Sequence, residues 1–369
     1  MFVANYWFQL IWLFTGGVLL AVFYPKKQES VMGIRVERWR LIPAILLVIP
    51  YIIAATLRTN QYGDTLAYRN TFLQAPDAIS AIPEYLSTIT KDKGFAVLNV
   101  ILKSIIGNSD GAFLFIIATF QMLCLALVYR KYSCNYWLSI FIFVAGTDYM
   151  SWCHNGIRQF LAITIIMLAL PMLLEKKYMQ VILIVLFAST FHASALLMLP
   201  VVFIVQGKAW NKKSVLCIIS CIVVLFFVDQ FTNTLDTILS NTQYSNMVTD
   251  WKEWEDDGTN PIRDMVYSIP MILSIIGYRQ IRVEDDPITN MMVNFGILTS
   301  GIAIMSMGTS GIFMGRLISY GSVYSASILL PWEIKNLFTE DSSRLMIIAL
   351  ILGYICFFYY QMHFTWAIL

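Results

Sequence analysis

Charge is scarce in this chain. Only 13% of its 369 residues are Asp, Glu, Lys or Arg, and the signs nearly cancel to a net +2. So small a balance argues against nucleic acid as a partner, which would need a basic patch or stripe. Histidine is scarcer still: His154, His192 and His363 are the only three. None has a carboxylate at ligand spacing, so no zinc centre can be read from them. The six cysteines are scattered, mostly inside apolar stretches. Cys217 and Cys221 share a helix face without an accompanying His or acid and read as a packed pair, not a metal site. The chain shows no basic leader with a small-residue cleavage site, so residues 3–23 read as a retained first helix. A soluble domain, a low-complexity tract and a clear internal repeat are also missing.

What the chain has in quantity is apolar sequence, 58% of its residues. It falls in repeated runs of roughly 18–20 residues, the length that crosses a ~30 Å hydrocarbon core. The fold class that follows is all-α: a polytopic integral membrane helical bundle of about twelve segments, one transmembrane domain over residues 1–369. Lys26, Lys27, Arg35, Arg38 and Arg40 follow the first helix, which makes that loop cytoplasmic and the N-terminus outside. Helix 2 (41–57) then leads to a long outer loop, 58–110. In it Phe95, Leu98, Leu102 and Ile105 share one face of an interfacial helix. Helices over 111–129, 136–150 and 157–174 follow.

Residues 178–207 lie between two basic clusters, Lys176/Lys177 and Lys208/Lys212/Lys213. If both clusters are cytoplasmic, the segment is a broken or re-entrant hairpin whose short arms meet near His192. The alternative is one long tilted helix, which inverts everything downstream. The hairpin places Lys208, Lys212, Lys213, Arg279, Arg282, Lys335 and Arg344 inside against Lys252, Arg263 and Arg316 outside, and the charge rule favours it. A second outer loop then covers about 232–264, further helices cover 214–231, 265–278, 288–306, 316–332 and 344–362, and both termini lie outside.

Outer loops are expected to be poor in arginine, which makes the exceptions informative. Arg158, Arg263 and Arg316 each stand where a helix starts on the outer side. The N-terminus of a helix already favours an anion, so an added guanidinium there points to a bound one, with phosphate oxygens the natural fit. Arg58, at a helix C-terminus, ranks below them. His192, inside "FHASALLMLP", can take a proton from a sugar hydroxyl near neutral pH. Asp64 in "NQYGDTLAYRNTF" is a second base or else a helix cap, with Tyr68 one turn on. Trp251 and Trp254 in "DWKEWEDDGTN", with Tyr68, supply aromatic faces for sugars. His154 reads as part of an exposed turn, and Glu284, Asp285 and Asp286 as a solvated run.

"YGDTLAYRNTF", "KGFAVLNVILKSI", "GIRQFLAITII", "FHASALLMLP" and "GRLISY" occur here in the order seen in the EpsG family, which the chain resembles over roughly residues 55–325. That family comprises bacterial exopolysaccharide and O-antigen polymerases of the Wzy type. In "KDKGF", Asp92 stands one place earlier than the acid of the family pattern, and it receives no role. The resemblance implies a multi-pass enzyme of the bacterial inner (plasma) membrane, similar to C-type glycosyltransferases, with its active site on the periplasmic or extracellular side. Such an enzyme joins oligosaccharide repeat units carried on undecaprenyl pyrophosphate, and a chain-length regulator is a possible partner. On this reading Arg158 and Arg316 bind the donor pyrophosphate, Arg263 or Arg58 adds a clamp, and His192 or Asp64 is the base. No cofactor is required, although Mg²⁺ carried in by the pyrophosphate is compatible. The rival readings are an O-antigen ligase and a lipid-linked oligosaccharide flippase.

Overall fold

The computed structural model describes residues 6–228, 230, 233, 234, 237, 260–309, 311 and 314–366. It is helical apart from one two-stranded sheet among the described residues. Among the described residues three helices are long and apolar enough to cross a membrane: Asp110–Tyr132, Pro287–Gly308 and Glu340–Thr365. Six more apolar helices have 10–17 residues. Several expected spans are shorter than their apolar runs because the backbone breaks inside them. The run from 136 stops at Ala145, followed by Gly146 and by Thr147 at φ +63°. The run from 157 stops at Leu168, and Pro171, which has no amide to continue the ladder, opens a new short helix. The chain divides into two compact units, one of residues 1–196 with 344–369 and one of residues 197–343.

The first unit contains α1 (Trp7–Phe23), β1 (Lys27–Val31), β2 (Ile34–Arg38), α2 (Leu41–Thr56), α3 (Thr65–Gln74), α4 (Ile82–Thr88), α5 (Lys93–Ile106), α6 (Asp110–Tyr132), α7 (Tyr136–Ala145), α8 (Ile157–Leu168), α9 (Leu170–Leu174) and α10 (Tyr178–Ser189). The basic stretch after α1 is a hairpin, not a plain loop. Lys27 pairs with Arg38 and Val31 with Ile34. Met32 and Gly33, both at positive φ, make the two-residue turn that suits the twist of the strands. Arg130 at the end of α6 reaches Glu29 at 3.0 Å and the Trp39 carbonyl at 2.9 Å, while Arg38 donates to the Lys131 carbonyl. One end of the unit is thereby closed by basic residues.

At the other end the long segment 58–110 is folded against the bundle. Phe72 of α3 stacks on Phe113 of α6 at 4.6 Å, and Phe95 of α5 meets the same ring edge-on. All three are buried, at about 1.5–3 kcal/mol each by area removed from water. The buried face of α5 is not the expected one. Phe95 and Leu102 are covered, but Ile105 is 73% exposed. Ala96, Asn99, Val100 and Lys103 turn inward instead. Lys103 does so because its ammonium donates to the Leu73 and Ala75 carbonyls, both at 2.6 Å, where α3 ends, and pairs with Asp77.

The second unit contains α11 (Met198–Ile204), α12 (Lys212–Phe226), α13 (Pro261–Ile276), α14 (Tyr278–Glu284), α15 (Pro287–Gly308), α16 (Met314–Leu317), α17 (Ser319–Tyr324) and α18 (Leu330–Asn336). The first unit resumes in α19 (Glu340–Tyr360). In the second unit α15 packs on α12 and α13. Two of its asparagines fasten the loop before α12. Asn290 Oδ1 accepts the Ala209 amide, and Asn294 donates to the Val205 and Lys208 carbonyls. The acidic run at 284–286 is engaged rather than merely solvated: Asp285 pairs with Lys208 at 2.7 Å and Asp286 caps α15 through Thr289. Cys221 packs with Met305 and Met314, and Cys217 lies against the same cluster.

Candidate functional site

Two glycines seat residues 58–110 of the first unit, one on the turn before α8 and the other on the break after α10. Gly63 has φ +48°, and a Cβ there would stand 2.3 Å from Asn155 Oδ1. That oxygen accepts the Asp64 amide at 2.9 Å. Gly94 donates to the Thr190 carbonyl at 2.8 Å, and a Cβ on it would fall 2.1 Å from Thr190 Oγ1. Neither contact tolerates a side chain without displacement. "YGD" is thus seated on "HNGIR" and "KGF" on the break after α10.

Asp64 stands just before α3, and its carboxylate makes no capping bond to the helix. Asp64, Ala67, Tyr68 and Thr71, spaced along one helical face, line a cavity of about 230 Å³ together with Phe95 and Arg158. Arg158 is the second residue of α8, which starts at the Gly156 cap. Its amides belong to the first turn, where backbone donors lack partners within the helix. Arg158 Nη1 donates to Asp92 Oδ2 at 2.6 Å, and the guanidinium carbon lies 5.8 Å from the centre of the Tyr68 ring. The pair is asymmetric, with the Arg158 side chain 32% exposed and that of Asp92 only 5%. One edge of the guanidinium is held while the group as a whole faces the cavity.

Asp92 has left-handed backbone, φ +51°, immediately before α5. Burial pushes its carboxyl above the ordinary aspartate value, against the pull of Arg158, Lys91 and the Ala193 amide. The last of these belongs to the break after α10. His192 lies in that break, and its Nδ1 is 2.6 Å from Ser194 Oγ. It does not line the cavity that Asp64 and Arg158 share. The helix does interrupt near His192, as the apolar run and its flanking charges suggest.

Arg58 sits deeper, 2% exposed. It donates to Thr65 Oγ1 at 3.0 Å and to the carbonyls of Ala55 and Cys153. Burial lowers its pKa to about 10, so it remains charged at neutral pH. Arg69 pairs with Asp110 at 2.7 Å and donates to the Arg58 carbonyl. His154 is buried, not exposed, because the turn around it is a π-helix, Tyr149–Asn155, folded into the bundle. Its ring lies between Tyr62 and Tyr149.

The other two arginines belong to the second unit. Arg263, in the first turn of α13, bonds Tyr267 Oη at 3.0 Å and lies over that ring. Tyr267 clusters with Ile318, which is close in sequence to Arg316 on α16. Trp251 and Trp254 lie outside the described residues. Sequence reasoning missed Asp92, Asn155, Lys103 and the Arg69–Asp110 pair. The signal for Asp92 was present in "DKG", an acid two places before a glycine that must fit tightly.

Against known proteins, a model described as the EpsG family matches residues 41–367. No curated protein and no solved structure matches the chain.

Proposed function

The chain belongs to the EpsG family, and hence to the membrane proteins of polysaccharide biosynthesis; from that premise we propose that it polymerises lipid-linked oligosaccharide repeat units. The donor is a repeat unit or growing chain on undecaprenyl pyrophosphate, and the acceptor is a hydroxyl of the next unit. The observation that carries this reading is Arg158, paired with Asp92 on one side and facing a cavity that also holds Asp64 and Tyr68.

Each residue then has a task. Arg158, with the first-turn amides of α8, binds phosphate oxygens and stabilises the charge that builds on the departing diphosphate. Asp64 takes the proton of the acceptor hydroxyl. The acceptor oxygen bonds to the anomeric carbon, the bond from that carbon to the phosphate oxygen breaks, and the diphosphate leaves on its lipid. Tyr68 offers a ring face to a sugar while its other contact steadies Arg158. His192, outside the cavity, serves through the turn that faces Asp92 and ranks below Asp64 as the base. Arg263 and Arg316, both in the second unit, remain candidates for phosphate binding. The active site faces outward and both termini lie outside, with about twelve membrane segments in all.

The test is complementation of a polymerase-null strain. Arg158→Ala and Asp64→Asn are expected to leave single repeat units on the lipid at normal protein levels. Full-length polymer from both variants would refute the assignment.

A further inference from the structure

In the first unit, three buried nitrogen atoms have no hydrogen-bond partner: Arg58 Nη2, whose charge bears on His154, His154 Nε2 itself, and Trp366 Nε1. The first and last can only donate, and the imidazole nitrogen donates in one of its tautomers. Arg58 makes no ion pair among the described residues. Buried donors are nearly always satisfied, and a run of three, a charged one beside His154 and two against the Tyr62 ring, calls for an acceptor rich in lone pairs. The rings define the rest. Tyr62 meets His154 edge-on at 5.2 Å, and Trp366 lies flat on Tyr62, with centroids 5.4 Å apart at 19°. Trp366 directly follows the π-helical turn Gln361–Thr365, whose residues His363, Phe364 and Thr365 are exposed. The indole thus occupies the place that a flat ring takes on the Tyr62 platform, at the end of a thinly packed segment. Asn155, which seats Asp64, is the next residue after His154.

We propose that Arg58, His154 and Tyr62 form a second binding site, for a sugar ring bearing an oxyanion (carboxylate or phosphate), and that Trp366 is a displaceable cap on it. The guanidinium and imidazole take the oxyanion, the Tyr62 face takes the ring, and the indole swings off. The site gives the polymerase reading a substrate chemistry, an acidic sugar, but binding to it can be measured without any polymer being made.

The test uses the full chain in lipid nanodiscs, titrated with glucuronate, glucose 6-phosphate, glucose and inorganic phosphate by calorimetry. Glucuronate or glucose 6-phosphate is expected to bind at least about tenfold more tightly than glucose or phosphate alone, and which of the two binds identifies the oxyanion. Arg58→Gln and His154→Ala should each weaken that binding about tenfold. Trp366→Ala should strengthen it about threefold, a gain that misfolding does not produce. Arg158→Ala should bind as the wild type does, even while it makes no polymer. Equal affinity for glucose and the acidic sugars, or no gain on removing the indole, would overturn the proposal. Loss of binding in Arg158→Ala would move the ligand to the first cavity and overturn it equally.

Discussion

At the scale of single residues, the ion pair between Arg158 and Asp92 decides what the cavity can do. A guanidinium fork matches phosphate oxygens in a way that an ammonium does not. Arg158→Lys is therefore expected to lower kcat/KM about 10- to 100-fold, with the charge retained and protein levels unchanged. Asp92 adds a pH dependence. Its folded-state pKa is raised, so as pH falls the folded protein takes up a proton before the unfolded chain does, and this group by itself adds stability on the acid side. Protonation also removes Arg158's partner. Polymer synthesis should fall with acidification at a pH above that of an ordinary aspartate, without a parallel fall in the thermal midpoint attributable to this residue. Asp92→Asn should flatten that limb at reduced activity. If the limb persists unchanged in the variant, Asp92 is not its source.

At the scale of elements, the cavity depends on where α3 and α5 are pinned. Lys103→Met removes the donor that satisfies two carbonyls at the end of α3 and leaves them buried, a loss of about 1–3 kcal/mol. Limited proteolysis between residues 58 and 110 should accelerate in that variant. Gly94→Ala drives a methyl into Thr190, at a cost of about 1–3 kcal/mol for overpacking. Thr190→Ala in the same chain should recover part of the loss, because it removes the nearest obstacle, the hydroxyl, while the Thr190 Cβ at 2.7 Å and backbone carbon at 3.0 Å remain. A double variant no more stable than Gly94→Ala would show that the clash is not what this glycine avoids.

These elements also show what could be read in advance. The apolar runs gave the helices, because a bilayer imposes one length and one polarity on anything that crosses it. Arg158 and Asp64 stood out because charge there needs a reason. The rest depended on partners distant in sequence. The pairing of Asp92 with Arg158 spans 66 positions, and no local periodicity encodes it. The inward turn of Lys103 contradicts an apolar-face count, since a long amine can bury its stem and still reach carbonyls. His154 looked exposed because a π-turn has no sequence signature. The hairpin at 27–38 had one, an alternating stretch around Met32–Gly33, but the positive charges drew attention to topology instead.

For the whole molecule, the first unit has two ends of different character. The hairpin, Arg130 and Lys131 gather at one, and Asp64, Asp92 and Arg158 at the other. With the basic end in the cytoplasm, a membrane-impermeant thiol reagent added to intact cells should label a cysteine placed at Gly107 and spare one placed at Gly33, both in a cysteine-free background. The opposite pattern would put the cavity on the cytoplasmic side and end the polymerase reading.

The two glycine contacts set an order of events during synthesis. Gly63 waits for Asn155, and Gly94 for Thr190. While the ribosome is still making α7, residues 58–110 have already been synthesised and have nothing to rest on. The segment can close only once Thr190, about 45 residues past the end of α7, has emerged, so a nascent chain halted before residue 190 should display this segment to a protease that the finished protein excludes.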